Sequence, residues 1–283
     1  MVEQQLIGGA PELGYAAGVL HDIPEEPYHA LPRLSKSLIA GYKTPMHLAL
    51  EMRKPRERKE AFDQGSAFHV MLLEPMLFDQ KVAILPDCDR KSNANKEIHA
   101  KFEAENLDKA WIKEEFRERV KSMRLSVMGN AECAKYLARG RAEQALFWSD
   151  KYGLRWKMRM DWLTEIDGQF FIVDLKKTAK GADPKEFAKT VGGFQYHWQA
   201  YLYREGFFAN FGVWPRFIFI AVEDTEPFAS AVYELDDNAL LKAASDIEPI
   251  RADLAPLYLN SVPQDKWPGY PAITNKISVP AWA

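Results

Sequence analysis

The chain has 283 residues, 47% of them apolar and 27% charged, with a net charge of −3 at pH 7. This is an ordinary globular balance with ample material for a core, and any basic nucleic-acid surface would have to be local. No run approaches the ~18 uninterrupted apolar residues of a membrane span, and two cysteines, Cys88 and Cys133, are too few for a disulfide framework or, alone, a zinc or iron–sulfur site.

The opening MVEQQLIGGAPELGYAAGVL lacks a basic segment before its mildly apolar stretch and reads as a poor signal peptide. With two thiols expected to be reduced, the chain reads as cytoplasmic. No internal repeat or low-complexity segment interrupts it, so one domain is expected over 1–283. Residues 1–33 form an irregular arm in this reading, with three prolines between 20 and 33. Residues 34–139 are mainly helical. Ser35 or Ser37 could cap a short helix, and Thr44-Pro45 could open another. Residues 57–74 carry a helical apolar stripe on Phe62, Phe68, Met71 and Leu72, ended by Pro75. Residues 96–139, dense in Glu, Lys and Arg, read as one or two amphipathic helices with a solvated face.

Strand signals begin near residue 142 and define a sheet region over 140–260. EQALFWS and LRWKMRMDWL flank a four-residue hairpin loop, Asp150–Gly153, and QFFIVDLKKT follows the turn dipeptide Asp167-Gly168. Asp183-Pro184 opens a helix that breaks or restarts at Gly192-Gly193 and runs to about Phe211. RFIFIAVE and FASAVYEL are two further strands, residues 236–259 a helix, and 261–283 a tail rich in Pro and Trp. The expected fold class is α/β, a mixed central sheet flanked by helices.

A type I′ turn at Asp167-Gly168 makes cross-strand partners whose numbers add to 335, so Asp161 falls opposite Asp174 and Lys176 opposite Arg159. Alternation then gathers Arg155, Lys157, Arg159, Asp161, Asp174 and Lys176 on a polar face. Trp156, Met158, Met160, Trp162, Phe171, Val173 and Leu175 form the core face. Directly opposed carboxylates are destabilising unless a positive charge lies between them. Lys176 or Arg159 could supply it, as an ordinary charge ladder. A divalent metal could also supply it, with Lys176 then orienting a water or stabilising charge on a phosphate.

The spacing Asp161…Asp174-Leu175-Lys176 resembles the PD-(D/E)XK nucleases, although Met160 stands where the family name has proline. Gln199 and Tyr203, four apart on one helix face, resemble the RecB-like branch, where such a pair lies beside the metal. Gly65-Ser66-Ala67-Phe68-His69, continuing to Glu74-Pro75, is similar to a segment of the exonuclease VIII (RecE)-type, phage-type members. Leu34–Leu38 and the tail Trp267-Pro268…Ile277–Trp282 resemble that group's opening helix and closing segment.

The resemblance implies a PD-(D/E)XK nuclease-like core with an N-terminal helical extension. It implies His69, Asp161, Asp174 and Leu175 at a Mg²⁺ site (Mn²⁺ being an alternative), with Lys176, Gln199 and Tyr203 completing the catalytic set. Arg159 and Lys177, with Gln199 and Tyr203, are the expected DNA contacts, although Lys177 should point to the opposite face. Glu143, at the start of the first strand, reads as an exposed edge acid. The implied activity is 5′→3′ degradation of one strand of linear double-stranded DNA from its ends. A RecT-like single-strand annealing protein is the implied partner, with a homo-oligomeric ring and DNA recombination as the setting. An endonuclease, a helicase-associated nuclease, a non-catalytic DNA-binding module and a hydrolase of small phosphate esters are the competing readings.

Overall fold

A computed structural model describes residues 18–55 and 58–279. The signal-peptide reading of the first residues, and the closing Pro280-Ala281-Trp282, lie outside the described residues.

The chain opens with β1 (His21–Asp22), α1 (Glu25–Ala30), α2 (Lys36–Ile39) and α3 (Pro45–Arg53). Ser35 caps α2, and Thr44 with Pro45 opens α3. Next come α4 (Glu60–Leu73), α5 (Phe78–Lys81), β2 (Val82–Ile84), α6 (Asn93–Glu105), β3 (Ala110–Ile112), α7 (Glu114–Gly129) and α8 (Ala131–Leu137). The region expected as one or two helices is therefore three, interrupted by a strand that pairs in parallel with β2. One division falls at Asn130, whose side chain accepts from the backbone N–H groups of Glu132 and Cys133 and caps a new helix.

The sheet follows as β4 (Arg141–Ser149), β5 (Arg155–Ile166) and β6 (Gln169–Thr178). After α9 (Pro184–Gly193) and α10 (Tyr196–Phe211) come β7 (Arg216–Glu223), β8 (Ser230–Glu234) and α11 (Asp237–Leu259). Strand order is β1-β4-β5-β6-β7-β8. Only β6 and β7 run parallel within it, because the two helices between them make the long crossover that parallel neighbours need. The sheet is thus mixed, as expected.

The β5–β6 register is the expected one, from Ile166↔Gln169 to Trp162↔Val173. Asp167 and Gly168 have φ of 51° and 78°, the left-handed pair a type I′ turn requires. The expected division into a polar and an apolar face is not observed. Trp156, Met158 and Met160 pack with Phe187, Leu202 and Leu254 of α9, α10 and α11. Trp162, Val173 and Leu175 pack on the other side with Phe68 of α4 and Val120 of α7. Met160 and Leu163 share one core although three residues apart, so alternation slips once between them, at Asp161-Trp162. Both faces are covered by helices, and β7 (RFIFIAVE), buried on both, reads as a nearly continuous apolar run.

The arm is more ordered than its prolines suggest. Asp22 and His21 pair with Gln144 and Ala145, covering the edge of β4. Ile23, Tyr28 and Leu31 pack on Ala145 and Phe147. Lys157, expected on a polar face, is buried beneath this arm and donates to the carbonyls of Tyr28, His29 and Leu31 at 2.9, 3.0 and 2.8 Å. The ammonium has three donors and meets three acceptors, which closes the C-terminal end of α1. Phe62, expected in the core stripe of α4, is half exposed and lines a cleft instead.

Candidate active site

That cleft has a volume of about 2040 Å³ and runs between the arm, the end of α3, α4 and the turn before β3. His69, Glu143 and Arg159 line it. His69 projects from α4, one turn past Gly65, and the strands bring the acids to it.

Ligand atoms of His69, Glu143 and Asp161 all lie within 4.8 Å of one another. His69 Nε2 stands 3.2 Å from the carbonyl oxygen of Leu175 and 3.5 Å from Asp161 Oδ2. Asp161 Oδ2 also accepts from the backbone N–H of Leu175 at 2.9 Å. This carboxylate reaches across to β6 just where the paired β5–β6 register has ended. Asp161 therefore ties the two strands together where their ladder opens, and the opening exposes the Leu175 carbonyl to His69.

Glu143 was read as an exposed edge acid, and the structure corrects that. Its neighbours Ala142 and Gln144 pair with Trp162 and Met160, which places Glu143 opposite Asp161 on the adjoining strand. Its backbone φ of 53° is left-handed, a conformation that costs a non-glycine residue and often marks functional sites. Its side chain pairs with Arg159 at 2.9 Å. Burial pushes the Glu143 carboxyl above the usual range; Arg159 opposes this, and Asp161 adds to it.

Asp174 is 1% exposed and lies on the β6 strand beside this group. Its Oδ1 accepts from Gln199 Nε2 at 2.5 Å, and its Oδ2 pairs with Lys176 Nζ at 2.5 Å. Burial pushes its pKa up to about 6; Lys176 pulls it down and Asp161 pushes it up again. Burial alone would lower the Lys176 ammonium, but Asp174 and Asp161 outweigh it and hold that pKa above its ordinary value. Lys176 also sits 4.5 Å above the Tyr196 ring, and Lys36 sits 5.3 Å from the same ring.

The other expected residues fall at different distances from the chemistry. Gln199 contacts Asp174 directly. Tyr203 is half buried, and its phenol is raised well above its ordinary pKa by burial, then by Tyr28, Asp174 and Asp161. Arg159 is not paired with Lys176, nor Asp161 with Asp174, because the β5–β6 ladder ends at Trp162↔Val173; the Arg159 guanidinium lies 5.1 Å from the Tyr28 ring. Lys177 points away, toward Asp224 at 3.7 Å and the Phe116 ring. Tyr28 of the arm and Tyr196 carry no assignment in the sequence reading, and Lys157 of β5 enters it only as a member of the polar face. Tyr196 could have been singled out, since it lies three residues before Gln199 on the same helix.

The donor set suits a divalent cation: one imidazole nitrogen, two or three carboxylates and a backbone carbonyl. It is rich in hard oxygen, as Mg²⁺ and Mn²⁺ prefer, and the buried Asp174 with its raised pKa is a carboxylate that a cation would return to its ionised form.

A mixed sheet opening onto two acids, a lysine and a histidine defines a PDDEXK-like domain. The family described as PDDEXK-like domain of unknown function (DUF3799) matches residues 40–269, and the chain belongs to it. Among solved structures, the chain is similar to a protein from Eubacterium rectale described as a "Putative exonuclease". That match has 17% identity and a TM-score of 0.59, covering 83% of this chain and 87% of that one. Two further matches are SSO0001 (15% identity, TM-score 0.28, 67% and 85% coverage) and protein VC1899 from Vibrio cholerae (12%, 0.22, 82% and 58%), too distant to carry an argument. No curated protein matches the chain in sequence. No described helix is long and apolar enough to cross a membrane.

Proposed function

We propose that this chain is a Mg²⁺-dependent exodeoxyribonuclease acting on the ends of linear double-stranded DNA, in the 5′→3′ direction. The observation that carries the reading is the grouping of His69, Glu143 and Asp161 beside the Asp174–Lys176 pair at an open cleft. The cleft's 2040 Å³ exceeds the roughly 300–1,000 Å³ of small-molecule sites, which favours a polymer over a small phosphate ester.

His69, Asp161, Asp174 and the Leu175 carbonyl would hold the metal, with Glu143 as a further carboxylate. When bound, the metal polarises the scissile phosphate and lowers the pKa of a coordinated water. Lys176, kept charged by Asp174 and Asp161, neutralises charge developing on the phosphate. Gln199 fixes the rotamer of Asp174. Arg159 contacts the DNA backbone once phosphate competes with Glu143 for its guanidinium. The product, a 3′ single strand, suits a RecT-like annealing protein in cytoplasmic DNA recombination, and a homo-oligomeric ring would keep the enzyme on its strand.

The test is digestion of end-labelled linear duplex with Mg²⁺, comparing wild type with Asp174→Ala and using closed-circular DNA as control. Loss of 5′ label from linear DNA alone, abolished by the substitution, supports the proposal. Cutting of the circle points to an endonuclease. Activity indifferent to Asp174→Ala makes the acids a charge ladder.

A further inference from the structure

Helix α9 ends at Gly192-Gly193 and α10 begins at Tyr196, so Phe194 and Gln195 form a two-residue step between them. Gln195 adopts a left-handed φ of 55°. Phe194 is 62% exposed, the most exposed phenylalanine among the described residues. A single exposed apolar side chain is common, so the exposure matters here only together with what the ring stacks on.

Its surroundings point to a ligand with a flat face and a negative charge. One face of the Phe194 ring stacks on Tyr196, with centroids 5.6 Å apart and planes at 17°. Tyr196 in turn carries the ammonium groups of both Lys176 and Lys36 near its ring. Lys36 also donates to the Phe194 carbonyl at 2.7 Å, which holds the step in place. Gly192 and Gly193 are exposed, and a Cβ at either would meet nothing within 4 Å. The approach to the step is therefore unobstructed, while its inner side leads through Tyr196 to Lys176.

We propose that Phe194 is a stacking platform for a nucleobase, one unpaired from the duplex end beside the phosphate that Lys176 serves. A base has the π-face to cover the free side of the ring, and its own phosphate would lie toward the two lysines. The platform gives the site a way to hold a frayed terminal nucleotide without reading its identity, since every base stacks. This inference rests on the nuclease reading and names how the substrate's end is gripped.

The experiment measures equilibrium binding of the full chain to a short blunt duplex, with Ca²⁺ in place of Mg²⁺. Phe194→Ala and Phe194→Trp are compared with wild type. Each is tested on normal duplex and on duplexes carrying one abasic nucleotide at successive positions from the end. Phe194→Ala should weaken binding about tenfold, the scale of one base–aromatic stack, and Phe194→Trp should restore it. At one abasic position, wild type should bind as weakly as the alanine variant, and that variant should lose nothing more. Equal binding by all three proteins would overturn the platform, as would a Phe194→Ala loss that persists at every abasic position. If wild type still cuts linear duplex in Mg²⁺, that result leaves the nuclease reading intact. A wild type that neither binds nor cuts DNA would overturn both.

Discussion

Glu143 and Asp161 face each other across β4 and β5, framed by the pairs Ala142↔Trp162 and Gln144↔Met160, and the imidazole of His69 comes down on them from α4. Two carboxylates directly opposed on a sheet repel, and Arg159 offsets that on the Glu143 side only. A cation between them removes the conflict. Glu143→Gln keeps the shape and removes the charge, so Mn²⁺ affinity measured by calorimetry should fall at least about tenfold, the lower end of what even outer partners of a metal contribute. Unchanged affinity would return Glu143 to the role of a partner for Arg159.

Asp174 sets the pH dependence. Its pKa in the folded chain is raised to about 6 from an ordinary 3.8, chiefly by burial. The stability this shift contributes is fully present below 3.8 and is lost as pH rises through about 6. A divalent metal needs the ionised form, so its stabilising effect should run the other way. The rise in Tm on adding Mn²⁺ should be small at pH 5 and grow toward pH 7. In Asp174→Asn that growth should flatten, and a wild-type shift independent of pH over this range would contradict the assignment.

His69 should decide which metal is preferred. Imidazole is a softer donor than carboxylate or carbonyl oxygen and suits Mn²⁺ better than Mg²⁺. His69 Nε2 is the nitrogen that faces Asp161 and Leu175. His69→Ala should therefore cost more with Mn²⁺ than with Mg²⁺, lowering the ratio of the two apparent affinities. A uniform loss with both metals would mean that His69 only packs beside the acids.

The register of β5 on β6 was legible near the turn because Asp167-Gly168 admits essentially one tight turn, which fixes the pairs from Ile166↔Gln169 to Trp162↔Val173. The expected pairs Asp161 with Asp174 and Arg159 with Lys176 lie beyond the end of that ladder. The register of β4 on β5 was not. Asp150–Gly153 looks like a four-residue loop, but Leu154 also lies outside the ladder, and Ser149 pairs with Arg155. A one-residue change in loop length moves each residue to a new partner. Counted as four, the loop sets Glu143 against Met160; as built, it sets Glu143 against Asp161. The division of the sheet into one polar and one apolar face failed for a related reason. Alternation assumes a regular strand, and the strand slips at Asp161, where the side chain takes a backbone N–H of β6. The position of His69 could not come from spacing at all, since it depends on how α4 packs over β5 and β6. It entered only through resemblance.

Lys157 offers the sharpest test of how the arm serves the site. It is 6% exposed, and its ammonium satisfies three carbonyls at the end of α1. The Tyr28 ring lies 5.0 Å from Lys157 Nζ and 5.1 Å from the Arg159 guanidinium, so the arm rests on the residue that pairs with Glu143. Lys157→Met would keep the stem but take the charged donor from three carbonyls, at a cost of about 3 kcal/mol. Those of Tyr28 and Leu31 keep a backbone N–H, from Leu31 and Arg33, and that of His29 loses its ammonium contact. For a chain of this size that cost is a fall in Tm on the order of 5–10 °C. The control is Lys54→Met, which removes an exposed pair with Glu51 and should change Tm little. Limited proteolysis should find new cuts between residues 18 and 33 in Lys157→Met and none there in the control. If the two variants melt together and resist protease alike, the arm is held by Ile23, Tyr28 and Leu31 packing on Ala145 and Phe147, and Lys157 is not its latch.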